Sequence, residues 1–525
     1  MVATRVPVTF EPAGVTVWVP PGSTVTEAAR QTGIVAPAPC GGRGVCGSCG
    51  MIVLAGSLDV PDEAELAGLS RARKGVRLAC RAQVIGPVTV RPLAIQPGSA
   101  VSSANGAVRV GRLVAGVDLG TTTVAAVLVD PETGCELARA SVANRQQAFG
   151  ADVVARLSAA AGGHASELRS LAERSVCDAL DAAARAACAR SDSVERLVVA
   201  ANSVMTALLV GADTASLATF PFVAPALSGS LPVDSVVAGA LAPGAEIIVL
   251  PPIAGFVGGD ALAATIAAGM ADSETPILLV DFGTNAEIVL AARGTLTVAS
   301  AAAGPAFEGV GITCGGPAAA GAITRLRIGP NQEIVSETLG DGPGEWFSGS
   351  GLVSAIAALV RVGAIDSSGR LSEMGLMAQR VTEDAQGVRE IGLGTNAKDG
   401  PVLSQLDIRQ FQIAKAAVRV GIDAVLAAAA VPPPDLERVS VAGALGTALE
   451  PDDLVMLGVL PTGVSDRIVR AGNAALDGAA AVALDPSLAA PSVETARDAV
   501  HVELAQDPGF ARALVDATEL SPYGD

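Results

Sequence analysis

The chain has 525 residues, of which half are hydrophobic and only 2% aromatic, and its formal net charge is −18 at pH 7. This hydrophobic content excludes a mainly disordered chain, and the length predicts two to four domains at roughly 150 residues each. The acidic balance excludes a general nucleic-acid-binding surface. We therefore expect a folded, acidic, cytoplasmic protein.

Membrane insertion and secretion are not expected. Residues 197–292 contain no Lys or Arg, but prolines and carboxylates interrupt them repeatedly. No clean apolar run of about 18–20 residues remains. The N-terminus lacks the continuous apolar segment of a secretory signal.

The first 93 residues predict a small α+β domain. They carry a formal charge of +3, whereas the remainder of the chain carries −21. Residues 1–19 alternate like a pair of strands. Thr24 and Glu27 then form the pattern of a capping box, which predicts a helix start.

Four cysteines in this region have the spacing C-x5-C-x2-C-x30-C, namely Cys40, Cys46, Cys49 and Cys80. A disulfide framework is disfavoured because such frameworks occur mainly in small secreted domains. Zinc usually takes paired cysteines, and Cys80 has no nearby second ligand. A glycine-rich loop with three cysteines and one distant cysteine is typical of a [2Fe–2S] ferredoxin, with zinc as the alternative. The other cysteines are predicted to be mostly small core residues: Cys135, Cys177, Cys188 and Cys314.

A basic run, Arg71 to Arg77, precedes Cys80. It is expected to be either a solvated surface or a docking surface for an acidic electron-transfer partner. Residues 94–111 are rich in Ser, Gly, Ala and Pro, which predicts a flexible linker. The predicted organisation is a domain of residues 1–93, this linker, and residues 112–525 with subdomains of roughly 112–275 and 276–525.

The motif V-D-[LF]-G-T occurs twice, beginning at Val117 and at Val280, which are 163 residues apart. Each copy lies between two apolar segments, so an internal duplication of a β-turn-β unit is the simplest explanation. Glycine and hydroxyl or amide side chains in such turns suit phosphate binding, and a carboxylate at a strand end suits Mg²⁺. The predicted phosphate-binding residues are Gly120, Thr121, Thr122, Thr123, Gly283, Thr284 and Asn285, and the predicted Mg²⁺-positioning residues are Asp118 and Asp281.

A third element, Val439 to Asp453, predicts a strand followed by Gly443 and Gly446, where the backbone can approach an adenosine. The three elements together resemble the nucleotide-binding motifs of the superfamily of sugar kinases, heat-shock chaperone ATPases and actin. Glu287 and Glu308 are candidates for orienting an attacking water, with structural salt bridges as an equal alternative.

Two loops and two histidines have simpler predictions. The stretch "GGHASE" at residues 162–167 is predicted to be a loop, and "SGSG" at residues 348–351 a loop that begins a helix. His164 and His501 have no metal or triad partner at a useful spacing, so both are predicted to lie at the surface or at helix ends.

Further stretches narrow the resemblance to one family. "NRQQAFGADVVARL", "VVAANSVMTALLVG", "PPIAGFVGGDALAA" and "DIRQFQIAKAAVRVGID" occur in the order typical of the ATP-dependent reductive activators of corrinoid proteins. This chain departs from the family at Ala444 and Leu445, where relatives usually have Gly and Phe. It also has only the linker where relatives can carry an extra domain.

The resemblance implies an α+β ferredoxin-like [2Fe–2S] (β-grasp) domain followed by an α/β actin-like ATPase fold of two related subdomains. It implies one-electron reduction of inactive Co(II) to Co(I) in the corrinoid protein of a methyltransferase system, with a [2Fe–2S] cluster, ATP and Mg²⁺ as cofactors. An upstream electron donor is expected, and a homodimer is an allowed assembly. The alternatives are an activator of another redox enzyme, a small-molecule kinase with a redox-sensing ferredoxin domain, and a nucleotide-binding electron carrier without hydrolysis.

Overall fold

A computed structural model describes residues 5–523, apart from 12–13, 33–43, 45–48, 70–75, 93–110, 151, 226–228, 233, 272, 317, 341, 374–376, 395–399 and 444–447. It divides into two compact units, one of residues 1–260 and 479–486 and one of residues 261–478 and 487–525. Cys40, Cys46, Gly446 and all but the last residue of the predicted linker lie outside the described residues. Among the described residues, no helix has both the length and the apolar character needed to cross a membrane.

The N-terminal part of the first unit is a mixed sheet with two helices. Its elements are β1 (Val6–Phe10), β2 (Val15–Val19), α1 (Val25–Thr32), β3 (Gly50–Leu58), α2 (Glu63–Leu69), β4 (Val76–Leu78) and β5 (Val84–Pro92). The strand order is β2-β1-β5-β3-β4, and β1 and β5 are parallel. Alternating side chains such as Val8, Phe10 and Val90 form the core, together with Val25 and Ala28 of α1. This is the small α+β domain that the sequence predicts.

Helix α1 begins at the predicted capping box. The Glu27 N–H donates to Thr24 Oγ1 at 3.2 Å, and the Thr24 N–H donates to Glu27 Oε2 at 2.7 Å. The backbone N–H groups of Thr24 and Glu27 therefore both have hydrogen-bond acceptors at this exposed helix start. The predicted strand pair is confirmed as well, because β1 and β2 are antiparallel and in register from Val6 opposite Val19 to Phe10 opposite Val15.

The rest of the first unit is built on a second five-stranded sheet. The strands are β6 (Leu113–Leu119), β7 (Thr123–Val129), β8 (Glu136–Ala143), β9 (Val194–Ala201) and β10 (Glu246–Val249), and the helices are α3 (Val153–Ala159), α4 (Ala165–Ala186), α5 (Ser203–Val210), α6 (Ala215–Ala218) and α7 (Val236–Ala240). The next helix, α8 (Gly259–Ala267), begins with the last two residues of this stretch and belongs mostly to the second unit. The strand order is β10-β9-β6-β7-β8. Helix α4 covers β7 and β8 with a buried stripe that includes Leu168, Ala172 and Val176.

The second unit contains a six-stranded sheet and two small three-stranded sheets. The strands are β11 (Ile277–Phe282), β12 (Ala286–Ala292), β13 (Thr295–Ala301), β14 (Ala322–Ile328), β15 (Ile334–Thr338), β16 (Trp346–Phe347), β17 (Val381–Glu383), β18 (Arg389–Gly392), β19 (Val402–Ser404), β20 (Arg438–Ala442), β21 (Ile468–Gly472) and β22 (Val500–His501). The strand orders are β21-β20-β11-β12-β13-β22, β15-β14-β16 and β17-β18-β19. The helices along this part of the chain are α9 (Gly349–Arg361), α10 (Gln405–Ala428), α11 (Pro451–Met456), α12 (Ala474–Leu484), α13 (Ala489–Arg497) and α14 (Phe510–Asp516).

The two largest sheets repeat one arrangement. In each sheet an antiparallel hairpin carries a D-[LF]-G-T turn, and its first strand pairs in parallel with a later strand. The parallel partner of β6 is β9, and that of β11 is β20. The structure thus confirms the predicted duplication of a β-turn-β unit.

The two loop predictions have different outcomes. "SGSG" does begin a helix, because Ser348 caps α9 and its Oγ accepts a hydrogen bond from the Gly351 N–H at 3.2 Å. The prediction that "GGHASE" is a loop was wrong. Residues 160–164 form a π-helical turn that joins α3 to α4, and Gly163, with φ of 97°, absorbs the kink.

The prediction that the scattered cysteines are mostly core residues was also wrong. Cys135 and Cys188 are exposed, and Cys177 and Cys314 are only partly buried. Cys135 precedes β8 at the turn after β7, and Cys188 follows the end of α4. Both cysteines thus lie just outside a strand or helix, with their side chains exposed.

The C-terminal residues of the second unit lie against α10 through buried polar groups. Lys415 is fully buried, and its Nζ donates to the carbonyl oxygens of Gly458 and Glu519. One turn further along α10, the Arg419 guanidinium stacks over the ring of Tyr523, 3.8 Å from its centroid. Because burial disfavours the charged form, the pKa of Lys415 falls to about 7, and burial raises the pKa of Asp423 to about 6.

The Lys415 amine should make stability rise with pH. The unfolded chain keeps the Lys415 proton up to its ordinary pKa of 10.5, whereas the folded chain releases it near pH 7, so folding becomes more favourable between these values. The free energy of unfolding of the wild type, relative to that of Lys415→Met, should rise by about 2 kcal/mol from pH 7 to pH 9. Urea unfolding followed by circular dichroism measures this difference. Arg512→Met, which changes an exposed cation, is the control, and a difference for Lys415→Met that does not vary with pH would contradict the prediction.

Candidate functional site

Two of the four predicted cluster ligands meet at one end of the β3–β4 pair. Gly50 of β3 is opposite Leu78 of β4, and the Ala79 N–H donates to the Cys49 carbonyl at 3.0 Å. This pairing brings Cys49, just before β3, against Cys80, just after β4. Their Sγ atoms are 3.2 Å apart, both side chains are buried, and neither forms a disulfide.

The two sulfur atoms fit a shared metal–sulfur group. Cysteine thiolates are the ligands of iron–sulfur clusters. Because the Cys49 and Cys80 thiols are free and their sulfur atoms converge, both can bind the same cluster. The other two predicted ligands, Cys40 and Cys46, lie outside the described residues. Within the described residues, which exclude both, no set of three or more His, Cys, Asp or Glu side chains could hold a metal ion.

A buried ion pair holds the strand that leads to Cys80. Glu65 of α2 is 1% exposed, and it accepts hydrogen bonds from Arg77 Nε at 2.7 Å and NH2 at 2.9 Å. Glu65 also accepts from the Leu78 N–H at 2.8 Å. The bidentate bond to Glu65 raises the pKa of Arg77. Arg77, the last cation of the predicted basic docking surface, is therefore bound within its own domain, and residues 71–75 lie outside the described residues.

The first D-[LF]-G-T turn lies where β6 ends and β7 begins. Asp118 is opposite Ala125 of β7 and beside Ala200 of the parallel strand β9. A side chain at Gly120 would not fit, since a Cβ there would lie 2.6 Å from the Thr123 carbonyl oxygen. The turn, Gly120 to Thr122, is thus a tight backbone loop at the end of β6, and Thr123 begins β7.

Three side chains that the sequence analysis gave no role hold this turn. Asn144 donates to the Gly120 carbonyl at 2.8 Å, and Gln147 donates to the Thr122 carbonyl. Asn202, which caps α5 directly after β9, donates to Thr121 Oγ1 at 3.1 Å. These three residues lie in the stretches "NRQQAFGADVVARL" and "VVAANSVMTALLVG", which carry part of the family resemblance. The sequence pattern does not indicate that their side chains contact the turn.

The second turn carries an additional carboxylate. Asp281 of β11 is directly opposite Glu287 of β12, whereas Asp118 in the first hairpin is opposite Ala125. Directly opposite residues of antiparallel strands project from the same face. The second hairpin therefore presents two acidic side chains on one face, and the first hairpin presents one.

Two other predicted residues lie beside the second turn. Thr284 Oγ1 donates to Glu308 Oε1 at 2.7 Å, and the Gly304 N–H donates to the Thr284 carbonyl at 2.9 Å. Gly443 follows β20 with φ of +90°, and a Cβ there would lie 2.6 Å from Asp281 Oδ1. Gly443 lies close to Asp281 because the parallel pairing of β11 with β20 sets Asp281 beside Ala442. The structure thus gathers Asp281, Thr284, Glu287, Glu308 and Gly443 at one sheet edge of the second unit.

Comparisons with protein families cover nearly the whole chain. A model described as the C-terminal domain of RACo, the ASKHA domain, matches residues 275–524, and a model of the RACo middle region matches residues 113–273. A model of the 2Fe-2S iron–sulfur cluster binding domain matches residues 8–84. The last match contains all four cysteines of the predicted cluster, and it favours the [2Fe–2S] cluster over zinc.

Three individual proteins are similar to the chain. The corrinoid activation enzyme RamQ of Eubacterium limosum is 30% identical over 419 residues, which cover 76% of this chain and 68% of that protein. The [Co(II) methylated amine-specific corrinoid protein] reductase of Methanosarcina barkeri is 28% identical over 290 residues, half of each protein. The solved structure titled reductive activator for corrinoid, iron-sulfur protein is 25% identical, covers 98% of both chains and has a TM-score of 0.69.

Removal of either buried cysteine should abolish the cluster. Cys49→Ser and Cys80→Ser each replace a soft thiolate ligand by a hydroxyl, so the purified proteins should lose most of their iron and their visible absorbance. Iron analysis and absorption spectroscopy under anaerobic conditions measure both effects. Cys188→Ser changes an exposed cysteine outside the domain and should leave both unchanged. Full iron content and an unaltered spectrum in Cys80→Ser would exclude Cys80 as a ligand.

Proposed function

Because the chain belongs to the family of reductive activators of corrinoid proteins, we propose that it reduces a corrinoid protein of a methyltransferase system. The inactive Co(II) form accepts one electron and becomes Co(I), and the chain binds and hydrolyses ATP to make this reduction possible. The relatives' names support the substrate, since one relative is a corrinoid activation enzyme and another a reductase of a Co(II) corrinoid protein.

The observation that carries the proposal is the combination of two kinds of site on one chain. The chain has a domain matching [2Fe–2S] proteins, with two converging buried thiols, and two D-[LF]-G-T turns at the edges of separate sheets. A sugar kinase has no need of the first site, and a simple ferredoxin has no need of the second. A chain with both is suited to coupling electron transfer to a nucleotide.

The cluster residues have roles that follow from their surroundings. A [2Fe–2S] cluster, when bound, supplies a carrier for one electron at a time, and the proposed ligands are Cys40, Cys46, Cys49 and Cys80. Cys49 and Cys80 hold their sulfur atoms in a buried position that excludes water. Glu65 fixes Arg77 and the Leu78 N–H, so the strand before Cys80 keeps its place. The electron itself comes from an upstream donor.

The two turns are proposed to bind the phosphates of ATP. Backbone N–H groups and hydroxyls at Gly120–Thr123 and at Gly283–Asn285 suit phosphate oxygens, and Gly443 and Gly446 suit the adenosine. Asp118 and Asp281 would hold Mg²⁺, which neutralises phosphate charge. Glu287, opposite Asp281, is proposed to orient the attacking water. Glu308, which accepts the Thr284 hydroxyl, is the second candidate for that role, acting from the same turn.

ATP is needed because the electron transfer is thermodynamically uphill. For one electron, about 59 mV of adverse potential lowers the equilibrium constant tenfold. ATP can offset this only if its binding or hydrolysis favours a state in which Co(I) forms more readily. The proposed function therefore requires that ATP and the corrinoid partner act on the same chain at the same time.

The direct test is a reduction assay with a corrinoid protein. The chain, reduced anaerobically, is mixed with the Co(II) form of a corrinoid protein from a methyltransferase system, and Co(I) absorbance is recorded with and without MgATP. Co(I) should appear with ATP and not without it. Equal reduction without ATP would contradict an ATP-driven activator, and the absence of Co(I) with every corrinoid protein tried would favour another redox enzyme as the partner.

Variants at the second hairpin should separate nucleotide binding from hydrolysis. Asp281→Asn should weaken MgATP binding, whereas Glu287→Gln should retain binding and lower ATP hydrolysis by roughly 10²–10³-fold, the range for loss of a preorganised polar group. Calorimetry and phosphate release measure the two effects. Asp516→Asn removes an exposed carboxylate of α14 and is the control. Unchanged hydrolysis in both hairpin variants would exclude the proposed roles.

A further inference from the structure

The stretch from Asn144 to Arg156 forms a buried polar framework behind the first D-[LF]-G-T turn. Asn144, Gln146 and Arg156 have no exposed surface. Three of its side chains donate to three successive carbonyls of the turn: Asn144 to Gly120, Arg156 to Thr121, and Gln147 to Thr122. The Asn144 N–H also donates to the Thr122 carbonyl at 2.9 Å.

This framework determines which way the peptide groups of the turn face. In a planar trans peptide, the carbonyl and the next residue's N–H point in opposite directions. The partners of the carbonyls at residues 120–122 all belong to one short segment of the chain. With these carbonyls held from that side, the N–H groups of Thr121, Thr122 and Thr123 face the other side, as in the backbone concavities that bind anions.

Arg156 is the charged member of the framework. Its Nε donates to the Gly150 carbonyl at 3.1 Å, and NH1 donates to Gln146 Oε1 at 3.2 Å and to Met205 Sδ at 3.0 Å. NH2 donates to the Thr121 carbonyl. Among the described residues, every hydrogen-bond acceptor of this guanidinium is therefore uncharged. The charge of Asp152 favours the protonated guanidinium, but Asp152 Oδ1 accepts the Ala155 N–H and caps α3.

Such a cation is costly to bury, which indicates a purpose beyond packing. A buried charge with only neutral partners loses much of its hydration energy. Burial lowers the pKa of Arg156 to about 9, so the side chain still carries its positive charge at neutral pH. An anion at the far side of the turn would supply the opposite charge that the neutral carbonyls do not.

The local sequence is built around this side chain. Gln146 is itself oriented, since its Nε2 donates to the Leu168 carbonyl at 2.8 Å and its Oε1 is left facing Arg156. Gly150 has φ of +153°, and a Cβ there would lie 2.3 Å from the Ala155 side chain, so only glycine allows its carbonyl to reach Arg156. The spacing N-x-Q-Q-x-x-G-x-D-x-x-x-R thus places one guanidinium behind the turn.

From this geometry we propose that Arg156 is a positioning residue for the phosphates of the bound nucleotide. It holds the Thr121 carbonyl inward, directs the turn's N–H groups toward the phosphates, and adds a positive charge behind them without touching the ligand. This inference rests on the proposed ATP-binding function, and it assigns the phosphate affinity of the first turn to a residue outside that turn.

The test compares ligands with and without phosphates on the complete chain. Calorimetry is performed with ATP, ADP and adenosine on the wild type, Arg156→Met and Arg156→Lys. Arg156→Met should bind ATP and ADP roughly 10- to 100-fold more weakly, by analogy with the loss of residues that orient metal ligands, and should bind adenosine as the wild type does. Arg156→Lys keeps the charge but not the fork of donors, so its ATP affinity should be intermediate. Arg139→Met, which removes a half-exposed cation paired with Glu136, is the matched control and should bind ATP normally.

The possible outcomes separate this inference from the proposed function. Unchanged ATP affinity in Arg156→Met, or equal weakening of ATP and adenosine, would overturn the role of Arg156 while leaving corrinoid reduction by the wild type intact. Failure of the wild type to reduce any corrinoid protein, with ATP affinity still dependent on Arg156, would overturn the proposed function alone. A wild type that does not bind ATP would overturn both.

If neither Arg156 variant folds, hydrogen exchange of the wild type provides the test. ATP should slow amide exchange in the peptides covering residues 113–129 and 144–157, because binding at the turn also restrains the framework behind it. Protection of the first peptide without the second would overturn the inference.

Discussion

The parallel pairing of β6 with β9 and of β11 with β20 is the constraint on which the candidate site depends. Strand ends that lie side by side at one edge of a sheet bring together residues far apart in the sequence. In the first unit this pairing sets the Thr121 turn beside Asn202. In the second unit it sets the Asp281 turn beside Gly443. A shift of one residue in either register would turn these side chains to the opposite face of the sheet.

The sequence predicts much of this architecture because the motif is repeated. Two copies of V-D-[LF]-G-T between apolar segments predict two hairpins, and both occur. The capping box at Thr24 and the helix start at "SGSG" also follow from local chemistry alone. In contrast, "GGHASE" continues into α4 although its two glycines disfavour a helix, and the left-handed conformation of Gly163 absorbs the kink between α3 and α4.

The parts that the sequence does not predict depend on long-range contacts. The two hairpins differ because Glu287 is opposite Asp281, whereas Ala125 is opposite Asp118. This difference is visible only when the register of the strand pairs is known. The bond from Thr284 to Glu308 joins residues 24 positions apart, and the bond from Arg156 to Thr121 spans 35 positions. Cys49 and Cys80 are 31 positions apart and meet through the β3–β4 pairing. The cysteine spacing predicted cluster ligands because cluster binding has a known pattern, but no sequence pattern indicated that a buried arginine lies behind the first D-[LF]-G-T turn.

The chain joins one redox domain to a duplicated nucleotide fold, and the proposed function requires both. Spectroelectrochemistry of the complete chain with a corrinoid protein tests this most directly. The mixture is poised with mediators at a potential where Co(II) persists, and MgATP is then added. We predict that Co(I) absorbance rises only after ATP is added and only with a chain that keeps Cys80. Co(I) formation to the same extent without ATP, or with Cys80→Ser in place of the wild type, would contradict the proposed coupling.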